Sequence, residues 1–362
     1  MTPAARLAKI ARADAWENVI TGHRTSRDKT TGARIQTIAP AVDRQKLEDI
    51  YHGDDMAAKV ADLPAQDMVR EWITLSIDTG DTERNTQAAD DTLQALDDLG
   101  ARAACREALT WASVFGGGMV LMYIDDGGGD NVEAMAEPVD ESRVRRVESL
   151  DVYDRFEFEI ETEYSDPTKP SYGKPETYRL RNQTSVRGQA SQPDILIHES
   201  RLLRFDGVLT NRRRKVRNNG WCDPVFTRIE TVLADFGVSW AGAAHLLTDF
   251  AVGVFKSPGI MQAIATDQDD VVHDRMMVMD MCRSTIRMLP LDGDEDFERR
   301  QTPLSGLPEM LDRFALRMSA AARMPITLMM GQSPSGLNNT AEGDIRFWYD
   351  QIGAKQNAEL RG

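Results

Sequence analysis

The residues best suited to chemistry in this chain are its histidines, its cysteines and a few glycine-flanked polar runs. Histidine occurs at His23, His52, His198, His245 and His273. No two of them form the His-Glu-x-x-His pair of a zinc hydrolase. None stands at zinc-ligand spacing from Cys105, Cys222 or Cys282, so no metal is expected. His23-Arg24-Thr25 and His198-Glu199-Ser200 share a His-x-Thr/Ser pattern. Two such imidazoles could serve as base and acid on a phosphodiester, although so short a pattern recurs by chance. Gly116-Gly117-Gly118 follows a helical stretch and precedes a strand. A phosphate loop runs strand, loop, helix and ends in Gly-Lys-Ser/Thr, so neither order nor residues fit. Gly331-Gln332-Ser333-Pro334-Ser335 lacks the closing glycine of a nucleophile elbow. The acids of Asp125-Asp126-Gly127-Gly128-Gly129-Asp130 have neither the spacing nor the closing glutamate of a calcium loop. No catalytic residue and no cofactor are expected.

Composition narrows the class. Of 362 residues, 41% are aliphatic or aromatic, enough for a real core. Acids outnumber bases 58 to 43, giving a net charge of -15. Proteins that wrap nucleic acid tightly neutralise phosphates with Lys and Arg, so the balance argues against that class. It leaves room for a surface past which DNA slides without adhering. Three widely spaced cysteines fit a reducing compartment, with thiols as small core residues. No run reaches about 18 apolar residues, so no membrane span is expected.

The elements that would position any site follow from periodicity. Residues 1–45 are polar and turn-rich and are expected to form an arm. Met56, Val60 and Leu63 mark a helix, and Pro64 is expected to restart the chain at a first-turn position. Leu93, Leu96 and Leu99 mark a second helix, closed by Gly100; Ala104, Ala108, Trp111 and Phe115 mark a third. Strands are predicted over 119–124, 144–150, 156–160, 177–180 and 195–205. Helices followed by sheet segments predict an α+β unit over 50–210. The strongest periodicity, Val225, Ile229, Val232, Phe236, Trp240, Ala243, Leu247 and Phe250, predicts a helix over 223–250. Gly237 and Gly242 within it suggest close packing on a neighbour. Beyond it, strands are predicted at 252–255, 287–291 and 297–302 and a helix over 267–284. Two more helices follow, one through Leu307, Leu311, Phe314, Met318 and Ala322, the other from near Thr340. The latter is still running at Gly362, which suggests a longer native chain.

Three further segments could make contacts. Arg212, Arg213, Arg214, Lys215 and Arg217 form a dense basic cluster able to meet DNA, a scaffold or an acidic patch on a neighbour. No aromatic interleaving or reading helix accompanies it, which disfavours specific nucleic-acid recognition. Residues 331–339 are small and uncharged, and 267–298 carry more acids than bases.

One stretch carries a resemblance. Ala322-Arg323-Met324-Pro325-Ile326-Thr327-Leu328-Met329-Met330-Gly331-Gln332-Ser333-Pro334-Ser335-Gly336-Leu337-Asn338, then Thr340-Ala341-Glu342-Gly343-Asp344-Ile345-Arg346, resembles the portal proteins of tailed phages. So does Ile197-His198-Glu199-Ser200-Arg201-Leu202-Leu203-Arg204-Phe205-Asp206-Gly207. With the element order, the likeness covers 50–362. It implies a portal-type α+β fold with an α/β wing, a long-helix stem and a small α/β clip. The implied parts are an arm at 1–49, a wing at 50–220, a stem helix at 221–250 and a clip at 251–304. A returning stem helix at 305–323, a tunnel loop at 324–340 and the start of a long wing helix at 341–362 complete it, and a crown is absent. The implied function is a homo-oligomeric ring of about twelve subunits at one capsid vertex, through which double-stranded DNA is packaged and ejected. Implied partners are the terminase large subunit, the major capsid or scaffolding protein and a head–tail adaptor, with no membrane and no cofactor. Implied locations are the virion and, during assembly, the host cytoplasm. Gly331, Gln332, Ser333, Ser335, Asn338 and Asn339 would line the channel. The alternatives are a head–tail adaptor or minor head protein, and a two-histidine phosphoesterase of the kind some phages use to cut cyclic nucleotide signals.

Overall fold

The structure, a computed structural model, describes residues 42–76, 82–127, 132–181, 194–248, 251–256, 273–279, 281, 296–301, 305–331 and 341–360. They divide into two compact units, one up to Thr231 together with the segment from Gly343, the other from Val232 to Glu342.

The first unit opens with α1 (Arg44–Gly53) and α2 (Asp55–Arg70). Each is capped by the aspartate before it; Asp54 accepts from the N–H groups of Met56 and Ala57, both at 2.9 Å. Pro64 does not restart the chain as expected; α2 runs straight through it. An internal proline costs about 3 kcal/mol. The helix face that buries Val60, Met68 and Val69 offsets this at about 1.5–3 kcal/mol per side chain. α3 (Thr82–Asp98) leads through Gly100, at φ 65°, into α4 (Ala101–Phe115).

Six antiparallel strands follow: β1 (Gly117–Asp125), β2 (Arg146–Asp154), β3 (Phe158–Glu163), β4 (Pro175–Leu180), β5 (Ile195–His198) and β6 (Leu202–Asp206). They form two sheets, ordered β2-β1-β6 and β3-β4-β5. Met119 and Leu121 of β1 join Phe158, Tyr178, Leu180, Ile197, Leu202 and Trp221 in one buried cluster. Strand alternation turns Gly118 and Val120 the other way. A Cβ on Gly118 would fall 2.2 Å from the Ala108 carbonyl of α4, so only glycine lets β1 lie on that helix. The same holds at Gly117, against Trp221, and at Gly207, against Ala112 and Gly116. The triple glycine is thus a backbone crossing.

The strand expected over 195–205 is two strands in different sheets. β5 pairs with β4, and β6 pairs with β1. A 3-10 turn at Glu199–Arg201 separates them, begun by His198, whose Nδ1 accepts from the Ser200 N–H at 3.2 Å. Arg201 is 5% exposed and pins the corner: its guanidinium donates to Asp126 at 2.6 Å and to the Ala134 carbonyl at 3.3 Å. Strands that bend between packed sheets need such an anchor, because the bend interrupts the ladder.

A short helix, α5 (Arg212–Arg217), precedes α6 (Phe226–Thr248), which begins in the first unit and continues into the second. In the second unit β7 (Ala251–Lys256) pairs antiparallel with β8 (Asp296–Gln301). Residues 273–279 are helical, and the strand expected at 287–291 lies outside the described residues. α7 (Leu307–Ala322) ends at Arg323 in the left-handed region, where the Met324 N–H returns to the Ser319 carbonyl. Pro325 then starts α8 (Ile326–Met330). α9 (Ala341–Glu359) docks on α2 of the first unit, with Trp348 donating to Asp67 at 2.7 Å and Gln356 to the Met68 carbonyl at 2.6 Å.

Gly118→Ala is expected to destabilise by about 3 kcal/mol or to prevent folding, since the clash is with backbone. Gly353→Ala, in α9 with open space around it, should gain about 0.5–1 kcal/mol. Urea denaturation of both variants checks the pair, and equal effects would remove the crossing from its central place.

Candidate functional site

The basic cluster is built on α5, a helix of 6 residues. Asn211 caps it by accepting from the Arg214 N–H at 2.9 Å. Asn219 at φ 53° and Gly220 at φ 84° then turn the chain back toward the sheets. That turn brings the acids of β6 and of the segment before α6 under the helix. Arg214 is ion-paired to Asp223, with side-chain exposures of only 20% and 10%. Lys215 donates to Asp206 at 2.9 Å. Arg212, Arg213 and Arg217 are exposed and make no ion pair among the described residues. The structure therefore separates the cluster into a structural pair and three outward guanidinium groups.

Beneath α5 lies a polar network that sequence reasoning missed. Arg204 donates twice to Asp206 at 2.9–3.0 Å, to the Gly220 carbonyl at 2.7 Å and to the Tyr178 hydroxyl at 3.1 Å. Its guanidinium also lies 4.2 Å from the centre of the Trp221 ring. Burial alone would raise the Asp206 carboxyl, but Arg204 and Lys215 hold it below its usual value. Arg155 is 6% exposed and donates to the Cys222 carbonyl at 3.2 Å. Burial pulls its pKa down to about 10, opposed by the charges of Asp223 and Asp154. The available signal was the stretch 197–207, in which Arg201, Arg204 and Asp206 all prove to be anchoring charges.

A cleft of about 800 Å³ opens beside this network, lined by Arg44, Arg155 and Arg181 on one hand and Glu159, Glu161 and Glu163 on the other. Arg181 pairs with Glu159, and Arg179 with Glu161, so two of its three glutamates are already matched.

Of the channel residues suggested by sequence, Gly331 closes α8 at φ 72°. Gln332, Ser333, Ser335, Asn338 and Asn339 lie outside the described residues. His198 is 6% exposed, burial lowers its pKa, and its Nδ1 faces the Ser200 hydroxyl at 3.0 Å. His23 lies outside the described residues. In the Asp125-Asp126-Gly127 run, Asp125 accepts from the Gly127 N–H and Asp126 from Arg201. Among the described residues no cluster of acids, histidines and cysteines could hold a metal ion. Cys222 is buried and its Sγ lies 3.4 Å from Asp206; Cys282 lies outside the described residues.

Residues 45–362 match the family model described as phage portal protein. The chain belongs to the phage portal protein family. It is also 29% identical over 367 residues to the protein named anti-CBASS protein Acb1 in Caulobacter sp. (strain RHG1). A protein of the same name in Sphingomonas paeninsulae is 28% identical over 360 residues. Each match takes in 96% of this chain and 54% of the relative, so this portal-family chain spans about half their length. Among solved structures it is similar to a chain in the neck of an empty gene transfer agent particle. That likeness has a TM-score of 0.53 at 13% identity and covers 89% of this chain and 79% of the other. The portal-type α+β fold is thereby shared with a particle component. No described helix is long and apolar enough to cross a membrane.

The network divides this portal-family chain's charges by function, and mutation can read the division. Asp223→Ala leaves Arg214 and the Asn218 amide without their shared acceptor and should cost about 3 kcal/mol. Arg212→Ala should stay within about 0.5 kcal/mol of the parent. Asp206, held low in the folded state, stabilises above the usual carboxylate range and loses that contribution as pH falls through its folded value. Lys215, held high, contributes below the usual lysine range and loses it as pH rises through its raised value. Denaturant titrations of both variants at neutral pH, and of the parent from acid through neutral to alkaline pH, check these statements.

Proposed function

We propose that the chain closes with copies of itself into a ring at one capsid vertex and forms the conduit for double-stranded DNA. The observation that carries this reading is α6. Between Asp235 and His245 it has no charged side chain, yet Val238 is 55% and Trp240 50% exposed, and Leu246 beyond is 43% exposed. At 100° per residue, Phe236, Trp240 and Ala243 centre on one face and Val238, Gly242 and Leu246 on another, about 130° round the helix. Cβ atoms at Gly237 and Gly242 would meet nothing within 4 Å, which leaves room for another backbone. An isologous dimer would cover one apolar face. Two separate faces fit two different neighbours, the arrangement of a heterologous ring that closes by rotation.

The remaining roles follow from this ring. A net charge of -15 per subunit, repeated around a channel, repels phosphate and lets DNA move under a motor. The segment 331–339, small and uncharged, is the part proposed to touch DNA. The parts proposed here are a wing at 50–220, stem helices at 221–250 and 305–323, and a clip at 251–304. The acidic clip is the proposed docking site for terminase and later the head–tail adaptor. Capsid or scaffolding protein would hold the wing. The chain would act in the virion, after assembly in the host cytoplasm, and without catalysis of its own. The relatives' anti-CBASS name does not transfer, because the match takes in only about half of each relative. His198 also argues against an acid–base role here, since its ring is buried and caps a turn.

Mass photometry and electron microscopy of the purified chain should show a ring with a central opening. Particles no larger than a monomer, without a hole, would overturn the reading. Deleting 331–339 should leave rings intact while DNA packaging or retention falls; unchanged packaging and retention would remove that segment from the channel.

A further inference from the structure

Two surfaces on the first unit are poorly explained by the isolated subunit. α3 buries no described side chain, and Asp90, Asp91, Asp97 and Asp98 stand exposed along it. Residues 7 apart on a helix lie nearly above one another, so Asp90 with Asp97 and Asp91 with Asp98 form one acidic stripe. Asp91 and Asp98 accept from Gln87 and Gln94, at 2.7 and 2.8 Å, and none of these acids has an ion-pair partner among the described residues. Asp97 and Asp98 also lie in the last turn, which contains no basic residue. Carboxylates there oppose the helix dipole and one another. Such a local conflict within a stable fold marks a surface whose compensation comes from elsewhere.

The second surface has the opposite character. Arg212, Arg213 and Arg217 are exposed on α5 and unpaired among the described residues. They flank Val216, which is 72% exposed, and Leu209, before the helix, is 80% exposed. This is a basic patch with an apolar centre. α3 offers the matching charge in its acidic stripe.

Resting on the ring reading above, we infer that α3 of one subunit docks on the α5 patch of the next copy of this chain. The occupant is a second copy because the two surfaces complement each other in charge. They are different surfaces of one molecule, so the contact is heterologous and each subunit engages both neighbours. Such a charge pairing sets register around the ring and disfavours wrong partners. It also gives Arg212, Arg213 and Arg217 a protein partner in place of DNA.

Charge reversal tests this. R212E/R213E/R217E and D90K/D91K/D97K/D98K should each lower the assembled fraction at least tenfold at concentrations where the parent is fully assembled. Mixing the two variants should restore rings, because each then offers the surface the other lacks. Circular dichroism and thermal melting confirm folding. If either variant does not fold, the neutral versions R212Q/R213Q/R217Q and D90N/D91N/D97N/D98N take their place; they should weaken assembly without restoring it on mixing. For the parent, raising salt shortens the screening length from about 10 Å at 0.1 M to about 3 Å at 1 M and should weaken assembly. Rings unaffected by either reversal, or lost in both and not restored on mixing, would overturn this contact and leave the ring standing. A parent that never assembles would overturn the ring itself.

Discussion

The structure depends on one close approach of backbones. At Gly116–Gly118 the chain leaves α4 and starts β1 with no side chain between strand and helix. The Gly207 N–H donates to the Gly116 carbonyl, and the Val225 N–H to the Ser113 carbonyl. An isolated bridge between Val208 and Asp223 closes the same knot. The helical layer, the central strand, the end of β6 and the start of α6 thus meet at one point. A Cβ at Gly118 or Gly207 would strike the backbone of α4, and one at Gly117 the Trp221 ring. Because α6 begins there, the direction of the long helix is set by contacts tens of residues earlier.

Around that knot the protein uses charge for anchoring as much as for recognition. Arg155, Arg201 and Arg204 each satisfy backbone carbonyls as well as acids or aromatic rings. Buried guanidinium groups are tolerable only when nearly every donor finds a partner. The acids they need, Asp126 and Asp206, are then withdrawn from the solvent-facing total. The exposed charges that remain are those available to partners. Among the described residues, those without an ion-pair partner include an acidic stripe on α3 and a basic patch on α5. A segregated surface of this kind suits repeated copies, whereas an evenly mixed one suits a solitary molecule.

α6 expresses the same logic with apolar groups. Its middle turns are charge-free and exposed, a state expensive for a solitary subunit in water and ordinary within an assembly. The family and the acidic composition support the proposed conduit, in which DNA would pass without being bound firmly.

What the amino-acid order determined by itself was local or statistical. The apolar repeat predicted α6 to within a few residues, Gly100 marked the end of α3, and the aliphatic run Met119 to Ile124 placed β1. The run from Ala322 to Arg346 pointed to the family because it is a dense string of turn and helix signals. The exclusion of phosphate loop and calcium loop followed from spacing alone. Only the tertiary structure decided that Pro64 sits inside a helix, since the compensation comes from burial against other elements. Only it split 195–206 between two sheets, because the anchor, Arg201, finds its acid 75 residues away. And only it divided the basic cluster, pairing Arg214 and Lys215 with acids and leaving the other guanidinium groups outward. Periodicity and composition act through neighbours along the chain; an ion pair depends on which charges the fold brings within reach, and that distance is not written in the sequence.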